Sequence, residues 1–124
     1  MGFPSPALDY AQPKLSIDEI CNTRAPSVYL FKSDKDLIHE GIKRGAVLVI
    51  NSATKPSDGN IIAVTIGDSF RLVRYRTVPC LHLQELNDTA KRLRITEAEA
   101  AYGEEGMLFG VVTHVLNDVR MLDS

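Results

Sequence analysis

The sequence has no surplus charge of either sign: fourteen Lys and Arg stand against sixteen Asp and Glu, for a formal net charge of −2. That excludes a broad basic footprint for nucleic acid. No apolar run approaches the length needed to span a bilayer. The basic start and apolar block of a secretory signal are missing too, so a cytoplasmic protein without a membrane partner is expected. Gly2 follows Met1, but Pro6 stands where a myristoylation motif needs Ser or Thr. Cysteine is scarce: Cys21 and Cys80 are far apart, with no C-x-x-C spacing, and are read as free buried thiols. His39, His82 and His114 have no second ligand at zinc-like spacing, so each is read as a core or surface histidine, and no metal or cofactor is expected. There is no internal repeat and no low-complexity tract.

What is present is enough for one compact domain. The 124 residues are 44% hydrophobic, an ordinary share for a chain with a real core. Residues 1–14 are set apart as an extended arm, and residues 15–124 as a single domain. The arm holds three prolines within residues 2–13, which fix φ and remove donors, so it cannot form a full ladder. Its anchors would be Phe3, Leu8 and Tyr10. Ser16 and Glu19 have the spacing of a capping box, predicting a short helix over residues 17–23 with Ile17, Ile20 and Cys21 on one apolar side and Pro26 as the stop.

Strand signals follow. Val28–Lys32, residues 47–50, Ile61–Ile66, residues 70–76, 78–86 and 107–116 are rich in β-branched and aromatic residues. Residues 55–59 and the Gly67-Asp68 pair supply turn chemistry. Residues 87–105 read as a long loop with one helical turn at 96–101, capped by Thr96. Short strands at regular spacing predict a mostly β fold of curved, partly barrel-like antiparallel sheets with one short N-terminal helix.

Three motifs in order carry a resemblance. Residues 2–10, GFPSPALDY, resemble the sequence after the self-cleavage bond of UmuD-type proteins. Asp58-Gly59-Asn60-Ile61-Ile62 resembles the family's D-G-D-I-V, and FGVVTHVL at 109–116 with Arg120 resembles its closing strand and tail. The chain thus resembles the LexA/UmuD family of self-cleaving Ser–Lys proteins, in particular the processed UmuD′ form. The resemblance implies intramolecular peptide hydrolysis, in which a serine attacks and a buried neutral lysine takes its proton. It places the serine of the family pattern G-D-S-M at Asp36, and the lysine, three residues beyond Phe70, at Val73. Neither residue can do that work, and the neighbouring Arg74 stays protonated throughout.

The expectation is therefore a pseudo-peptidase with a degenerate dyad, whose start at Met1-Gly2-Phe3 matches the start of the processed form. The resemblance implies a homodimer acting as accessory subunit to a UmuC-like Y-family translesion polymerase in SOS mutagenesis. It also implies contact with the RecA–single-stranded DNA filament and a possible heterodimer with an intact UmuD. Direct sequence-specific DNA binding is not expected, because no helix-turn-helix is encoded. The alternative is a self-cleaving peptidase whose dyad has moved to Ser33 and Lys35. Ser33 otherwise reads as a turn hydroxyl bonding local backbone, and Asp36 as the partner of Lys35, Arg71 or Arg74.

Overall fold

A computed structural model describes residues 15–120. The arm anchors Phe3, Leu8 and Tyr10 lie outside that range. Alternating β-branched and aromatic residues build seven strands: β1 (Val28–Lys32), β2 (Val47–Asn51), β3 (Ile61–Ile66), β4 (Ser69–Arg76), β5 (His82–Glu85), β6 (Arg92–Arg94) and β7 (Leu108–Leu116). They form one sheet in the order β1-β2-β7-β3-β4-β5-β6, antiparallel throughout. The expected mostly β architecture is present as an open sheet, with β1 and β6 at its two edges.

The sheet is strongly curled, and β7 is the reason. Its register slips once against β3, where Phe109 falls between the pairs Ala63↔Gly110 and Val64↔Leu108. It slips again against β2, where Thr113 falls between Val49↔His114 and Ile50↔Val112. Each extra residue bends the strand and increases its twist. Gly110 lies between the two slips, and a Cβ there would sit 2.5 Å from Ile50 Cγ2 and 2.9 Å from the Asn51 carbonyl oxygen. Only glycine lets the backbones of β7 and β2 come this close.

The two faces of the sheet carry separate cores. Leu48, Ile50 and Ala63 form the first, closed over by Leu37 and Ile42 from residues 33–46. Ile62, Val64, Val73, Leu83 and Val111 form the second, covered by Ile95 and Ala100. Leu72 packs against the first core and Val73 lies within the second, as strand alternation requires.

Several expectations are corrected. The helix α1 spans Ile17–Cys21 and ends at Asn22 in the left-handed region (φ 53°), ahead of Pro26. Ser16 makes no side-chain cap bond. The reciprocal capping pair forms instead at the predicted turn, where the Thr96 amide donates to Glu99 Oε1 (2.9 Å) and the Glu99 amide to Thr96 Oγ1 (3.2 Å). α1 buries no residue, and Ile17 and Ile20 are 55% and 52% exposed, because five residues are too few to turn an apolar stripe onto the sheet. The fifth strand begins at His82 rather than at 78, since Pro79 has no N–H to give a ladder. β6 lies within the stretch read as loop. Cys21 and Cys80 are free and half-buried, not buried. His82 is buried, its Nδ1–H donating to the Cys80 carbonyl (2.7 Å), while His39 and His114 are exposed. No helix among the described residues is long and apolar enough to cross a membrane. Nor is there a cluster of three metal-ligating side chains among them.

Candidate interaction surface and the dyad positions

Asp36 lies in the 33–46 connection between β1 and β2. It is exposed, and its Oδ1 accepts the Arg44 backbone N–H at 2.8 Å. None of the three expected cationic partners holds it: Arg71 pairs with Glu85, Arg74 pairs with Glu40, and the Lys35 side chain makes no salt bridge among the described residues. This bond from the backbone on the far side of the connection gives the carboxylate a partner without ordering a second long side chain. Val73 is buried among Ile62, Val64 and Leu83 in the second core. Because residues 33–46 cover the first core, Asp36 and Val73 are not brought together; Leu72 is the β4 residue turned toward that cover.

Ser33 and Lys35 do line a common cleft of about 300 Å³, together with Phe31, Phe70, Leu72 and Leu86. Ser33 is buried, and its hydroxyl donates to the Lys35 carbonyl (2.8 Å) while accepting the Lys35 amide (3.3 Å). Its backbone is held equally firmly: the Ser33 amide donates to the Ala46 carbonyl and the Gly45 amide to the Ser33 carbonyl, both at 2.8 Å. The hydroxyl thus fills the turn role expected of it. The Lys35 side chain is exposed, whereas a proton-accepting lysine needs burial to become neutral.

Beside this cleft lies an aromatic cluster that residue-by-residue reading of the sequence missed. Tyr29 and Phe31 share a face of β1 at i, i+2, Phe70 is the second residue of β4, and Phe109 is the extra residue of the first β7 slip. Ring centroids are 5.3 Å apart for Phe31–Phe70, 5.6 Å for Phe31–Phe109, 5.5 Å for Phe70–Phe109 and 5.4 Å for Tyr29–Phe109. The contacts to Phe109 from Phe31 and Phe70 are edge-to-face, the geometry favoured by the ring quadrupole. In a flat sheet β1 and β4, four strand steps apart, would be about 19 Å from each other. The curl imposed by β7 therefore makes the cluster.

The rings remain open to solvent: Tyr29 is 44% exposed, Phe31 36% and Phe70 43%. Apolar surface gathered in one place and left wet is the mark of a contact surface, unlike singly scattered residues. It adjoins an edge strand whose outer backbone groups are not paired within the described sheet. The surface suits association.

Comparisons with known proteins agree with the fold and the motifs. The Peptidase S24-like family model matches residues 1–112. Protein ImpA of Escherichia coli is 34% identical over 122 residues, covering 98% of this chain and 80% of the relative. Protein SamA of Salmonella typhimurium is 30% identical over 123 residues, covering 98% and 82%. Protein MucA of Escherichia coli is 29% identical over 116 residues, covering 93% and 77%.

Proposed function

We propose that this chain, which belongs to the Peptidase S24-like family, works by binding other proteins rather than by cutting a peptide bond. In this reading it is a homodimeric UmuD′-like subunit accessory to an error-prone translesion polymerase, and it meets the RecA–DNA filament in the SOS response. The observation that carries the reading is the cluster at the β1 edge, in which the exposed rings of Tyr29, Phe31 and Phe70 gather around the partly buried Phe109. Self-association about a two-fold axis would bury these rings against their own copies. The degenerate dyad supports it: Asp36 carries no hydroxyl, and Val73, in the core, has no base.

The test is co-purification with a UmuC-like polymerase combined with sedimentation equilibrium of the chain alone. A dimer at micromolar concentration that binds the polymerase supports the proposal. A monomer that ignores the polymerase contradicts it.

One observation favours the alternative of a relocated dyad, namely that Ser33 and Lys35 line the same cleft. Against it stand the local bonds of the Ser33 hydroxyl and the exposure of Lys35. That reading requires fragments that vanish in Ser33→Ala.

A further inference from the structure

The far edge of the sheet has a different character. Among the described residues β6 pairs with β5 alone, in the register His82↔Arg94, Leu83↔Leu93, Gln84↔Arg92. Just outside the strand, the Lys91 carbonyl accepts from the Glu85 amide (3.0 Å) and the Ile95 amide donates to the Leu81 carbonyl (3.5 Å). The odd-numbered residues thus turn their backbone groups toward β5. By the alternation of an antiparallel ladder, Arg92 and Arg94 turn theirs outward.

The side chains along this edge alternate as well. Arg92 and Arg94 occupy one face, Lys91 and Leu93 the other, and all four are exposed, Leu93 by 47%. None of the three cations belongs to a salt bridge among the described residues. Beside Leu93 is a notch of about 90 Å³ lined by Ile66, Val73 and Leu83 together with the Arg71–Glu85 ion pair, Lys91 and Arg92.

We propose that β6 is a docking edge for an extended acidic segment of another protein, which joins the seven-stranded sheet beside Arg92–Arg94. Acidic side chains of the segment would pair with Arg92 and Arg94, and the aliphatic residue between them would pack on the exposed Leu93. Charge decides the occupant. A second copy paired antiparallel about Leu93 would set Arg92 against Arg94 twice, a like-charge arrangement that opposes self-pairing. The chain's own acidic run of Glu97, Glu99, Glu104 and Glu105 is folded into the Thr96-capped turn and its loop, so it does not present a strand. The outward backbone groups of Arg92 and Arg94 offer a ladder that a peptide backbone can join and a phosphate backbone cannot. Residues 1–14 contain one acidic residue, Asp9, too few to match the edge. This inference does not depend on the β1 surface, which lies at the opposite end of the sheet.

The test titrates the full chain against a fluorescein-labelled peptide of alternating Glu and Val, followed by anisotropy. Controls are the same composition in two blocks and an oligothymidylate. The alternating peptide is expected to bind about tenfold more tightly than the block peptide, because only it satisfies both faces. Arg92→Glu with Arg94→Glu should weaken it about a hundredfold, and a Lys–Val peptide should then bind that variant. Hydrogen exchange should slow at the Arg92 and Arg94 amides in the complex. Equal binding of the block peptide, preference for the oligothymidylate, or no binding of the alternating peptide would each overturn the proposal.

Discussion

The two edges of the sheet solve the same problem in opposite ways. An edge strand leaves backbone groups unpaired, and a protein must cover it, shorten it or charge it. β1 is five residues long and presents Tyr29, Leu30 and Phe31, each at least 36% exposed. β6 is three residues long and presents Arg92 and Arg94. The aromatic edge carries one cation, Lys32, which an antiparallel copy paired about Leu30 would set against Val28, so it tolerates its own copy; the β6 edge rejects its own copy and welcomes the opposite charge. The sheet thus has one end suited to a like partner and one suited to an unlike partner, with β7 fixing the curl between them.

The sharpest way to break this contrast is Phe31→Asp. It places a charge at the centre of the aromatic cluster and should weaken self-association about a hundredfold, or about 3 kcal/mol. Arg94→Glu should leave self-association unchanged. Sedimentation equilibrium on both variants checks this, and an equal effect from the two would erase the distinction between the edges.

A substitution in β7 should damage both ends together. Gly110→Ala puts a methyl into Ile50 and the Asn51 carbonyl, so it should cost about 2 kcal/mol by overpacking and lower the urea midpoint. It should also weaken the contact between Phe31 and Phe70, because that contact depends on the curl.

Arg74→Met should loosen only the β1 end. Arg74 donates to the Glu40 carboxylate and to the Gly59 carbonyl (2.6 Å), tying the 33–46 cover to β4. The Glu40 side chain is 18% exposed, so stranding it should cost about 1–2 kcal/mol. Amide exchange should rise across residues 33–46 while β6 is unaffected.

The smallest effect belongs to the other cover. The Tyr102 hydroxyl donates to the Thr54 carbonyl at 2.6 Å, and Tyr102→Phe should cost about 1 kcal/mol or less. Burial pushes the Tyr102 phenol above its ordinary value of 10.0. Its contribution is therefore complete below the unfolded-state pKa and is lost as pH rises through the higher folded-state value. The wild type should lose this margin in alkaline urea titrations, and Tyr102→Phe should not.

Much of the fold was legible because burial and strand period coincide. Val28–Lys32 and Ile61–Ile66 have the bounds that their β-branched and aromatic residues predict. The Thr96 cap was legible because its partner is three residues away, a local relation. β6 was not, because Arg-Leu-Arg is too short and too polar to show a period against the loop around it. The helix was overextended because Pro26 looked like the stop, when Asn22 ends it four residues earlier. The aromatic cluster was hidden for a different reason. Each ring could be placed on its strand, but Phe31 meets Phe70 only through a curl that two register slips produce. The resemblance points to Asp36 and Val73, yet that these two residues do not face one another depends on which side of β4 looks toward the 33–46 cover.

The central claim, binding without hydrolysis, is tested most directly by intact mass. The chain is incubated with RecA–single-stranded DNA filaments, and in parallel at alkaline pH, beside an intact UmuD that cleaves under the same conditions. The account predicts a single unchanged mass while the control is cut. A new fragment that disappears in Ser33→Ala or Lys35→Ala would contradict it and return the chain to the self-cleaving peptidases.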